Sequence, residues 1–137
     1  MTKEQKQLLR KIKKHIMEEP KRFMMGWWIH KKEELKDFPH MLDRDLHDKP
    51  IVFPKCNTTA CIAGWAVLLH DGMEARNLSD IEIHHRAVEI LGPKVSAELF
   101  GQYNWPENLC TAFDDAKTKR GKAKIACKAI DYALRNL

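Results

Sequence analysis

The sequence predicts an all-α fold: one compact domain over residues 1–137, with five to six helices around a buried central helix at about 59–70. Three observations carry this expectation. Apolar residues recur at helical spacing near both ends of the chain. Between them lies a run that is apolar nearly all round, Ala60-Cys61-Ile62-Ala63-Gly64-Trp65-Ala66-Val67-Leu68-Leu69-His70, the pattern of a helix enclosed on every side. Helix punctuation divides the remainder, with Ser79 three residues before Glu82 and Gly92 followed by Pro93. A chain of 137 residues can bury roughly two-thirds of its unfolded surface, enough for one core.

Residues 3–18 form the first expected helix. Leu8, Ile12 and Ile16 stand at i, i+4 and i+8 with Leu9 beside them, and Lys3, Lys6, Arg10, Lys13 and Lys14 fall largely off that stripe. Pro20 ends it. Residues 22–30, Arg-Phe-Met-Met-Gly-Trp-Trp-Ile-His, are apolar and aromatic, and read equally as a short helix or an irregular core segment. Residues 31–37 are polar and suit the end of a helix. Residues 38–57 hold Pro39, Pro50 and Pro54 and read as one long loop, with a short strand at 51–53. Thr58 and Thr59 are expected to cap the central helix, and Gly72 to stop it. Ser79 opens a helix over 80–91, and a short helix over 94–100 closes at Gly101. Pro106 takes the first position of the next, with Leu109 and Phe113 on one side. The last helix spans about 118–137. Ala123, Ala126, Ile130, Ala133, Leu134 and Leu137 make its inner stripe, with Ala129 alongside, and Lys119, Arg120, Lys122, Lys124 and Lys128 stay outside.

Composition excludes several classes. The apolar share is 44% and the charged share 31%, which describes a globular chain. No apolar run approaches the ~18 residues of a membrane span. The basic, amphipathic start has no signal-peptide core, so the reading is cytoplasmic. The formal charge of +5 is uneven. Residues 1–22 carry eight bases against three acids, and residues 117–137 seven bases against one acid, around a net-acidic middle. If the two end helices are neighbours, they make one basic surface that attracts phosphate.

The most distinctive segment is Cys56-Asn57-Thr58-Thr59-Ala60-Cys61-Ile62-Ala63-Gly64-Trp65-Ala66. It resembles a small-protein family of bacteriophages and bacteria whose signature is Cys-Gly-Thr-x-x-Cys-Ile-Ala-Gly-[Trp/His]-Ala. Phe23-Met24-Met25-Gly26-Trp27-Trp28 is similar to that family's Phe-x-Met-x-x-Trp element. Residues 87–92, Leu99-Phe100, Trp105-Pro106 and Ile130-Asp131 follow in similar order. Asn57 stands where the family has Gly, and Asn is the residue that next best tolerates a left-handed backbone. The stretch at 30–55 is longer than in the family. The resemblance implies a phage-type protein working in the host cell cytoplasm, through host interaction or anti-defence, and carries no agreed activity.

Three readings of function stay open. The first is a non-catalytic binding protein that sequesters a host protein or a small anionic, nucleotide-like ligand. The free N–H groups of a helix start at 58–61 would hold the anion, so its candidate residues are Cys56, Asn57, Thr58, Thr59 and Cys61. Trp27 and Trp28 would supply stacking faces. The second is a nucleic-acid-binding module using Arg10, Lys13, Lys14, Lys119, Arg120 and Lys124. The third is a redox or metal site at Cys56 and Cys61, in which a helix N-terminus would lower the Cys56 thiol pKa and a disulfide between the two is geometrically open. The Cys-x4-Cys spacing lies at the long edge of a zinc pair, and His30, His40, His47, His70, His84 and His85 form no second pair of recognised spacing. Packing is the simplest role for both cysteines, and Cys110 and Cys127 are expected to be buried. The adjacent His84 and His85 are expected to face one inward and one outward. No nucleophile, base and orienting group fall into a catalytic set, so catalysis stays open only through the Cys56 and Cys61 reading, and no cofactor is expected. Self-association stays open.

Overall fold

The computed structural model describes residues 1–25, 28–31, 56 and 58–137. Of the expected loop at 38–57 only Cys56 is described; the strand at 51–53, Trp27, His40, His47 and Asn57 lie outside the described residues. Six α-helices are described: α1 (Lys3–Glu18), α2 (Ile62–Asp71), α3 (Asp80–Leu91), α4 (Pro93–Leu99), α5 (Glu107–Asp115) and α6 (Lys119–Asn136). Short 3₁₀ turns lie at Pro20–Arg22, Met73–Asn77 and Gln102–Asn104. Two three-residue strands, β1 (Ile29–Lys31) and β2 (Thr58–Ala60), form an antiparallel ribbon that pairs Ile29 with Ala60 and Lys31 with Thr58. The all-α class holds, with this ribbon added.

Local chemistry sets the helix ends. Thr2 caps α1 through a capping box: its hydroxyl accepts from the Gln5 N–H at 3.1 Å, and the Thr2 N–H donates to the Gln5 side chain at 2.9 Å. Ser79 and Glu82 make the same box at the start of α3. Thr118 caps α6 by accepting from the Gly121 N–H at 2.9 Å. Gly72 and Gly92 follow α2 and α3 at φ 101° and 85°, a backbone that only glycine adopts cheaply. Pro106 sits one residue earlier than expected, as the N-cap of α5 rather than its first residue.

The principal correction concerns the start of the central helix. Residues 58–60 are extended, and α2 begins at Ile62 with Cys61 as its N-cap. Two β-branched threonines in succession favour a strand once a partner strand is present. That partner arrives from residues 29–31.

Helix α2 is buried over residues 62–68 and has no polar face there. It is packed by α1 and α3 and by β2. The ribbon side requires close approach. A Cβ added at Gly64 would lie 1.7 Å from the Trp28 carbonyl oxygen and 2.8 Å from the Ala60 Cβ. Beyond Leu68 the helix reaches the surface, where Arg86 of α3 donates both Nε and Nη2 to Asp71, at 2.7 and 2.9 Å. These hydrogen bonds hold the Asp71 carboxyl down at about 2.

Helices α1 and α6 pack side by side and run antiparallel. The Met1 amino group donates to the Leu137 carbonyl at 3.2 Å. Farther along, Lys13 pairs with Asp131, and the Cys127 thiol donates to the Lys13 carbonyl at 3.7 Å. Their inner stripes are Leu8, Leu9, Ile12 and Ile16 on one helix, and Ala123, Ala126, Ala129, Ile130 and Ala133 on the other. The alanines allow the two axes to approach closely. Leu134 and Leu137, expected in the stripe, are only partly buried.

Gly64 yields the first prediction. Gly64→Ala drives a methyl group into backbone that cannot yield, so stability to urea falls by about 3 kcal/mol or more. An unchanged midpoint would show that the ribbon does not lie against α2.

Candidate functional site

The segment around Cys61 is built as a buried joint. Thr58 and Thr59 are fully enclosed in β2. The Thr58 hydroxyl donates to the Cys56 carbonyl at 3.3 Å and accepts from Arg76 at 3.5 Å. The Thr59 hydroxyl is buried with no hydrogen-bond partner among the described residues. The expected anion cradle at 58–61 is therefore corrected. Residues 58–60 are strand and only Cys61 stands at the helix start, and neither threonine presents a hydroxyl to solvent. Trp28 is half-buried and meets the edge of His84 in α3, with ring centroids 5.3 Å apart. Cys56, Thr58, Thr59, Cys61 and Trp28 are thus near one another as packing around the ribbon.

The four cysteines are free thiols. Cys61 is buried at the N-cap of α2, and its thiol donates to the Trp28 carbonyl at 3.9 Å. Two opposing effects meet there. Burial raises the thiol pKa, and backbone N–H groups of the first helical turn lower it. Burial prevails, and the thiol is pushed up to about 11. Cys127 is pushed up to about 11 as well, chiefly by burial. At Cys61, desolvation outweighs the pull of the helix N-terminus. Cys56 is half-buried, and so is Cys110, which was expected in the core. Among the described residues no three His, Cys, Asp or Glu side chains gather as metal ligands. His84 and His85 are both exposed, because α3 buries only Ile83, Ala87 and Leu91.

One polar cluster escaped the sequence reading. Arg22 donates to the His15 carbonyl at 2.8 Å and stands near Glu18 and Glu19, each at 3.6 Å. Trp65 donates its indole N–H to the Arg22 carbonyl at 2.6 Å and packs against the His15 ring at 4.3 Å. Burial and the Arg22 charge hold the His15 pKa below its usual value. The cluster ties the end of α1 to the middle of α2. Its only sequence signal is the apolar helix packing near His15, which a linear reading does not place.

The basic candidates separate into two groups. Arg10 and Lys14 are exposed on the outer side of α1, with Lys13 half-buried between them and α6. At 100° per residue, Lys6 belongs to the same side. On α6, Arg120, Lys124, Lys128 and Arg135 are exposed. They share the side of α6 that carries Asp131, on the shoulder that faces α1. Lys119 lies elsewhere, four residues before the buried Ala123 and so on the inner side of the wheel. Lys122 also turns away, donating to the Phe113 carbonyl at 2.8 Å with its ammonium 4.4 Å from that ring. The antiparallel packing thus brings both basic ends onto one face. Lys6, Lys128 and Arg135 join it without having been singled out, although Lys128 and Arg135 stand seven residues apart, the spacing of one helix side.

No family model, curated protein or solved structure matches the chain. Among the described residues, no helix is long and apolar enough to cross a membrane.

Two measurements test the buried groups. In native protein at pH 8, a thiol reagent labels Cys56 and Cys110 and spares Cys61 and Cys127, and all four react after denaturation. Fast labelling of Cys61 would favour the redox reading. His15 makes stability depend on pH. The unfolded chain takes up its proton as pH drops below about 6.5, while the folded chain resists. Stability is full above that pH and declines below it, so the melting temperature falls between pH 7.5 and 5.5. The fall is smaller in His15→Gln, whose backbone still accepts from Arg22. Equal falls in the two proteins would remove His15 as the cause.

Proposed function

We propose that the protein is a non-catalytic nucleic-acid-binding module whose contact surface is the shared outer face of α1 and α6. The observation that carries this reading is the antiparallel contact of the two basic helices, fixed by the Lys13–Asp131 pair and the Cys127 contact to Lys13. Lys6, Arg10, Lys13, Lys14, Lys124, Lys128 and Arg135 share that side, where Asp131 pairs with Lys13 and Glu18 stands 3.9 Å from Lys14.

The dimensions suit a phosphate backbone. Residues 124–135 span about 16 Å along α6 at 1.5 Å per residue, and neighbouring helix axes lie roughly 9 Å apart. A nucleic-acid strand advances about 3.4 Å per phosphate, so about five phosphates match that length. Long, flexible lysines serve as point charges for such a partner, while Arg10 and Arg135 offer planar donor forks to phosphate oxygens.

The phage-type resemblance and host sequestration belong to the same non-catalytic class. The geometry around Thr58 and Thr59 gives an anion at that position no support, whereas the α1/α6 face is open.

Binding to a 20-nucleotide oligomer should weaken steeply with salt. Its log–log slope is about −3.5 for a single strand or about −4.5 for a duplex if five phosphates are neutralised. Replacing Arg10, Lys14, Lys124 and Lys128 together with Gln flattens that slope by about three to four, with the fold intact by circular dichroism. Absence of binding at low salt would overturn the reading.

A further inference from the structure

Where α5 meets α6, a groove of about 390 Å³ opens beside the basic face. Its floor and walls include Leu109 and Asn108 from α5 and Tyr132, Lys128 and Arg135 from α6. We propose that this groove receives one unpaired nucleobase, stacked on the Tyr132 ring, so that the protein favours single-stranded over duplex nucleic acid. The inference rests on the reading of the α1/α6 face as a phosphate-binding surface and adds a base-binding element to it.

Helix geometry makes the two surfaces continuous. Lys128, Tyr132 and Arg135 occupy i, i+4 and i+7 of α6 and therefore form one row. Two of the three belong to the phosphate face, and the third is an aromatic ring 38% exposed. A strand whose phosphates follow Lys128 and Arg135 carries its bases past that ring. The half-buried Leu109 supplies an apolar floor, and Asn108 supplies a donor and an acceptor for the edge of a base. Asp131 also lines the groove, and its pairing with Lys13 offsets the one negative charge an approaching phosphate meets there.

Geometry also selects against a duplex. Paired bases keep their faces stacked on one another, so no face is free for Tyr132, whereas single strands offer every base to an aromatic platform. The volume is at the small end of ligand clefts, in keeping with one base rather than a whole nucleotide chain.

Fluorescence anisotropy with end-labelled oligo(dT), alone or annealed to oligo(dA), tests this at one low salt concentration. The unmodified protein should bind the single strand more tightly. Tyr132→Ala should weaken single-strand binding by about 5- to 100-fold and leave duplex binding unchanged. Tyr132→Phe should keep full affinity. Tyr132→Leu, which fills the groove without an aromatic face, should behave like Tyr132→Ala. Equal losses on both nucleic acids, or no loss in Tyr132→Ala, would overturn base stacking while the phosphate face stands. Binding of neither oligomer would instead overturn the phosphate face itself. Thermal melting of each variant reports the fold independently, since Tyr132 contributes an exposed side chain.

Discussion

Helix α2 has no side that tolerates water over residues 62–68, and the arrangement of the chain follows from enclosing it. A single neighbour covers only part of a helix surface, so several elements must converge on this one. Helices α1 and α3 take two sides, and the ribbon takes a third. The ribbon approaches closely only because Gly64 leaves its backbone bare to the Trp28 carbonyl. Polar groups near the enclosed helix then need partners. Trp65 finds one in the Arg22 carbonyl, which draws the end of α1 against α2. The enclosing contacts and the His15–Arg22 cluster are one construction.

The same enclosure determines where charge goes. Helix α1 uses one stripe against α2 and α6, and α6 uses its alanine-rich stripe against α1 and α5. Once both stripes are inside, the lysines and arginines of both helices have only the outer side left. Like charges about 9 Å apart in water repel by roughly 0.5 kcal/mol per pair. Physiological salt screens much of that beyond about 8 Å. The face is thus tolerable in isolation and relaxes further when phosphate covers it.

Much of this was legible in the sequence where signals are local. Thr118 and Ser79 announce their helices by short-range hydrogen bonds, and the 3.6-residue recurrence of Leu8, Ile12 and Ile16 identifies the inner side of α1. What was not legible depends on a distant partner. Thr58 and Thr59 suit a helix cap and a strand equally well, and Ile29 and Lys31, far away in sequence, decided between them. Cys61 sits where a helix start lowers a thiol pKa, and the depth of burial reversed the direction. Charge counting exposed two basic ends but could not place them together. That followed from the contact between Lys13 and Asp131, 118 residues apart. Lys119 looked like its neighbours in composition and was separated from them only by its angle on the helix.

The antiparallel seating of α1 on α6 has a consequence for synthesis on the ribosome. The apolar stripe of α1 emerges well before the stripe of α6 that covers it. At about 5 to 20 residues per second, a separation of 118 residues leaves that stripe without its α6 cover for about 6 to 24 s. An isolated helix of 16 residues is only marginally stable in water. Its positive charge opposes association of nascent chains during that interval. The nascent α1 is therefore held in solution by the same lysines that later crown the finished molecule.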